Sequence, residues 1–160
     1  MIAAPVSVRR HWLAALVASA ALLMPVAAAH AHLDASVPAA HAAVTEPVAA
    51  VNLTFTEAVE VAFSTFKVYR IAGSVDLTAE NAGMRLNALA ATLVSSYNGS
   101  QEDGEGRIAI ELASNSADKA LVTLAFPEPL EPGHYVVMWR LLSGDTHVVD
   151  GHIVFTVLSE

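Results

Sequence analysis

The chain has 160 residues, the length of one ordinary domain. It carries eight basic residues against 16 acidic ones and no cysteine. The missing thiols exclude a disulfide scaffold, a thiolate metal site, a cysteine nucleophile and a lipidated N-terminal cysteine. The acidic balance argues against nucleic acid or an anionic membrane as a partner.

The first 31 residues are apolar for a reason of their own. Arg9 and Arg10 precede an apolar run from Trp12 to Met24, Pro25 breaks the run, and Ala27 to Ala31 supply small residues. A basic start, a short apolar centre and an A-x-A end have the form of a secretory signal peptide. The run is shorter than the roughly 20 residues that a spanning helix needs. The expected division is a cleaved leader over 1–31 and one domain over 32–160. A cut after Ala29 is the competing choice, and the export route, general or twin-arginine, stays open. Loss of Arg9 and Arg10 with the leader leaves six basic residues against the same 16 acids, a net charge of −10.

Beyond the leader the pattern is that of strands. Val51 to Thr56 alternates apolar and polar, with Val51, Leu53 and Phe55 on one face. Phe63 to Ile71 reads the same way, with Phe66 and Val68 inward. Met84 to Tyr97 is rich in Ala and Leu and predicts a short helix, and the polar, glycine-rich stretch 98–106 predicts a mobile loop. Arg107 to Leu112 and Lys119 to Phe126 are two more alternating runs, with a turn at Asn115 between them. Pro127 to Gly133 is a proline-rich loop. Tyr135 to Leu141 and His152 to Leu158 complete the set, with Asp150-Gly151 opening the last strand. Short strands separated by turn signals predict an all-β antiparallel sandwich or barrel.

Five histidines lie beyond the leader: His32, His41, His134, His147 and His152. Cleavage after Ala31 would make His32 the first residue, and its α-amine and imidazole could then chelate one ion. The amine's pKa near ~8 lets a metal displace its proton at neutral pH. A frayed terminus with an idle histidine describes the same residue equally well. Asp145 and His147 in Ser143-Gly-Asp-Thr-His147 stand at i and i+2, so an extended stretch sends both side chains to one side. With His32 they would make a tetragonal N,O set of the kind that suits Cu(II). A lone D-x-H is more often a turn in which Asp bonds its own backbone. His134 follows a Pro-Gly turn and reads as surface. His152 lies on the strand face opposite Ile153, and nothing in the sequence orients His41.

The order of these segments carries a resemblance. His32-Leu-Asp-Ala-Ser-Val-Pro38 opens the domain, and Val51-Asn-Leu-Thr-Phe-Thr-Glu57 and Tyr135-Val-Val-Met-Trp-Arg140 follow. Ser143-Gly-Asp-Thr-His147 then leads into Gly151-His-Ile-Val-Phe-Thr-Val157. Together they resemble the CopC family of periplasmic copper-resistance proteins over residues 32–71 and 119–158. The resemblance implies a Greek-key, Ig-like β-sandwich that binds Cu(II) through His32, Asp145 and His147. Glu57, matching an acidic position near the family's site, and His152 are candidates to stand behind those ligands. The implied role is a monomeric periplasmic carrier, not an enzyme. It would sequester copper or pass it to a CopD-like inner-membrane transporter. The alternative is a histidine-clamp copper monooxygenase. Two departures stand out. Only Met84 and Met138 remain beyond the leader, so the methionine-rich Cu(I) site of some members is missing, and His41 stands where the family commonly has glycine.

Overall fold

A computed structural model describes residues 31–114, 117–142 and 147–159. The chain folds into two facing sheets with one helix laid on the outside of the larger. The strands are β1 (Leu33–Val37), β2 (Ala43–Val44), β3 (Ala50–Phe55), β4 (Thr65–Arg70), β5 (Arg107–Ile108), β6 (Glu111–Ser114), β7 (Leu121–Ala125), β8 (Gly133–Leu142) and β9 (Val148–Val157). The helix α1 spans Ala82–Tyr97. One sheet runs β1-β3-β7-β6 and the other β2-β9-β8-β4-β5. All pairings are antiparallel except the two-residue pairing of β2 with β9, which is parallel. The turn expected at Asn115 lies outside the described residues, as do residues 1–30, where a leader is expected.

Alternation along the strands builds the core. Val51, Leu53 and Phe55 on β3 and Val122 and Leu124 on β7 face Tyr135, Val137, Trp139 and Leu141 on β8, all of them buried. Burial of each such side chain stabilises the fold by about 1.5–3 kcal/mol. Phe55 and Trp139 meet edge to face at a centroid distance of 5.7 Å and an interplanar angle of 81°. The larger sheet is covered on its second face as well. Ala82, Leu86 and Ala90, at i, i+4 and i+8, set one stripe of α1 against Tyr69, Val136, Met138 and Val154. That double cover explains why Val136 to Trp139 lacks the polar alternation of a half-exposed strand.

Four expectations need correction. The run Arg107 to Leu112 is two strands, not one. Arg107–Ile108 pairs with β4 and Glu111–Ser114 pairs with β7, so the chain changes sheet between them. Phe63 is not in a strand but in a 3-10 turn over Val61–Phe63, 74% exposed. Asp150-Gly151 does not open the last strand but lies inside it, opposite Arg140 and Trp139. The glycine is there for packing, because a Cβ at Gly151 would sit 2.5 Å from Cζ2 of Trp139. The stretch 98–106 is anchored. The Lys67 ammonium donates to the carbonyls of Ser100 and Glu102 at 3.0 and 3.2 Å and meets the Asp103 carboxylate at 2.8 Å. The Tyr69 hydroxyl donates to the same carboxylate at 3.1 Å.

Candidate functional site

One end of the sandwich gathers most of the residues singled out above. Leu33 pairs with Phe55, so His32 lies beside the C-terminal end of β3. The His32 backbone N–H donates to Oγ1 of Thr56 at 3.0 Å, and the Thr56 N–H returns a bond to the His32 carbonyl at 2.8 Å. These reciprocal bonds tie the entry of β1 to the exit of β3. Glu57, half-buried, is the next residue along. In the facing sheet, Leu142 pairs with Val148, which puts His147 at the head of β9, beside the C-terminal end of β8.

Two observations show that these are the same end of the molecule. The Phe55–Trp139 ring contact joins the last residue of β3 to a residue three positions before the end of β8. The chain leaving β3 then passes through the 3-10 turn to Ser64, whose hydroxyl accepts a bond from the Leu142 N–H at 3.2 Å. His32 and His147 are both solvent-exposed and both engaged in contacts within the protein. Asp145 lies outside the described residues. Among those described, no group of three or more His, Asp or Glu side chains forms a ready metal cage. An open depression of about 270 Å³ flanks this end, lined by Phe63, Arg140, Leu142 and Val148 among others.

The remaining histidines go elsewhere. Val148 to His152 is four residue steps, which carry His152 ~13 Å along the strand from this end. There it shares a pocket with His41 and Asn87. His134, expected at the surface, is buried at 8% exposure. Its Nε2 accepts the Val75 N–H at 3.2 Å, and its Nδ1 lies 2.9 Å from Oγ1 of Thr156. The Pro-Gly signal ahead of it belongs to the turn, while the ring points under the 71–75 segment, a contact between residues 59 positions apart that no local pattern reveals.

The family model for the CopC domain matches residues 33–100 and 90–158. The chain belongs to the CopC family. Among solved structures it is similar to PcoC, a methionine-rich copper resistance protein from Escherichia coli. Identity is 28% and the TM-score 0.55, with 81% of this chain and 99% of that one covered. The selenomethionine form of PcoC matches at 27% identity over 79% of this chain and 98% of that chain, also with a TM-score of 0.55. CopC from Methylosinus trichosporium OB3b shares the fold at 24% identity and a TM-score of 0.56, over 82% of this chain and 96% of that one. A comparison with curated protein sequences found no match. The matches agree with the two-sheet architecture expected from the sequence.

Proposed function

We propose that this CopC-family chain is exported, trimmed after Ala31, and binds Cu(II) in the periplasm as cargo through His32, Asp145 and His147. The observation that carries the reading is the convergence of His32 and His147 on one exposed end of the sandwich, from opposite sheets. Cleavage at that point would turn the Thr56-bonded nitrogen of His32 into an amine. An amine, two imidazoles and a carboxylate form an N,O donor set that Cu(II) favours over other divalent ions of the first row. PcoC is a copper resistance protein by name, and this chain covers nearly all of it. The same role fits here: sequestration, or delivery to a CopD-like membrane transporter.

A binding role is favoured over the histidine-clamp monooxygenase. Trp139, the one tryptophan beyond the leader, is 4% exposed and packs on Phe55 and Gly151. It offers no aromatic platform for a polysaccharide. Asp145 in the copper plane would also fill a position that oxygen chemistry needs open.

Intact-mass measurement of the periplasmic protein, followed by Cu(II) titration, tests the reading. The expected mass begins at His32. His147→Ala should weaken Cu(II) at least tenfold, about 1.4 kcal/mol, and an extra N-terminal Met should cost as much as loss of His32. A start at His30, or equal affinity with a blocked amine, would overturn the clamp.

A further inference from the structure

On the outer face of the larger sheet, β9 and α1 border a pocket that brings two further histidines together. His41, Asn87 and His152 line one open pocket of about 430 Å³, with Ala40, Ala91, Ile153 and Val154 as the remaining wall. The two imidazoles come from segments 111 positions apart, and each is fixed by backbone structure. His152 is set by its register opposite Met138 in the middle of the β8–β9 ladder. His41 is set by its own N–H, which donates to the Val154 carbonyl at 2.6 Å. Both constraints are main-chain, so the backbone that carries each imidazole is fixed beside the pocket before any ligand arrives.

The backbone at His41 adds an independent observation. Its φ is +63°, and no other non-glycine residue among those described has a positive φ. Glycine takes this left-handed conformation without cost, whereas an L side chain is strained there. A strained, exposed histidine that lines a pocket beside a second histidine points to a use for the ring. The wall contributes the Asn87 amide and no carboxylate.

We propose that His41 and His152 form a second metal site, separate from the His32 end, that takes a first-row transition ion through two imidazole nitrogens. Zn(II) and Cu(II) both suit imidazole. The carbonyl oxygen of Asn87 and water complete the coordination. With two protein nitrogens in place of a chelating amine and three side chains, the site is the weaker of the two.

Calorimetric titration of the mature protein with Cu(II), and separately with Zn(II), tests this alongside His41→Gly and His152→Ala. His41→Gly relieves the backbone strain, so the variant should fold at least as well as the parent, and a lost signal cannot be ascribed to unfolding. The expected result is two Cu(II) equivalents in the parent. The second is weakened at least tenfold in each variant, and the first is unchanged. In histidine-detected NMR, Zn(II) should move the His41 and His152 rings together, and His41→Gly should abolish the His152 response. A parent in which no equivalent depends on His41 and His152, or a second equivalent that survives either substitution, would overturn the site. Neither outcome depends on the His32 clamp, whose failure would show as loss of the first equivalent alone.

Discussion

Buried behind a Pro-Gly turn, His134 uses both ring nitrogens. The Val75 N–H needs a lone pair on Nε2, so the proton sits on Nδ1 and is donated to Oγ1 of Thr156. Burial pushes the imidazole's pKa below its ordinary value, because a charged ring would lose solvent. Protonation of Nε2 would also break the bond from Val75. The consequence for stability follows from proton linkage. With the folded pKa depressed, the unfolded chain takes up the proton first as pH falls through about 6.5. Stability is therefore full above that value and declines through the interval down to the folded pKa, at up to ~1.4 kcal/mol per pH unit. His152 shifts in the same direction and adds to the slope. Thermal melts between pH 7.5 and pH 5 should show the loss, and His134→Gln, which can keep an acceptor and a donor in place, should reduce it. An unchanged pH slope in the variant would contradict this account.

At the scale of elements, α1 and the segment that follows it act as one cover over the larger sheet. The helix supplies the apolar stripe of Ala82, Leu86 and Ala90, and Lys67 holds the following loop by two carbonyls and one carboxylate. The Lys67 hydrogen bond is the main cause that holds the Asp103 carboxyl below the usual carboxylate range. Lys67 is 7% exposed and Asp103 50%, so water screens the pair in part. Asp103→Asn should cost about 1 kcal/mol and speed amide exchange across 98–106, leaving Val136 to Met138 protected. Uniform protection in the variant would show that the carbonyls alone suffice. The sequence disclosed the helix through its Ala- and Leu-rich composition, and most strands through alternation. It misled at 98–106 because polarity and glycine content describe a loop's composition but not its anchors, and Lys67 looked like an ordinary surface position of β4. The Arg107 to Leu112 run misled for a different reason. Alternation has the same period whichever sheet receives the strand, so a change of sheet leaves no mark. Gly151 after Asp150 carried a turn signal, whereas its role depends on Trp139, a cross-strand partner. Of the candidate site, His32 and His147 were legible from terminal position and motif. His41 was not, because its value lies in a backbone conformation and in a partner 111 residues away.

For the molecule as a whole, the question is which oxidation state of copper this sandwich can hold. Cu(I) favours soft sulfur ligands and low coordination numbers, and beyond residue 31 the chain offers two thioethers. Met138 has no exposed surface and is packed beneath α1 with Val136, Val154 and Leu86. Drawing it out to a metal would forfeit about 1.5–3 kcal/mol of burial and leave a cavity under the helix. Met84 is 74% exposed on α1, free to move but with no second exposed thioether among the described residues to join it. Neither sulfur belongs to the end that carries His32 and His147, since both lie in the layer built by α1 and the outer face of the larger sheet. On the proposed Cu(II) reading, reduction of the ion should therefore weaken retention, with imidazole nitrogen as the remaining donor. X-ray absorption on the reduced, copper-loaded protein should show a nitrogen shell without sulfur, and a competing Cu(I) chelator should strip the ion far faster than Cu(II) is lost. A resolved sulfur shell would require Met84 and Met138 to meet at one metal, and with it a displacement of α1 from the sheet that hydrogen exchange at Leu86 and Ala90 would register.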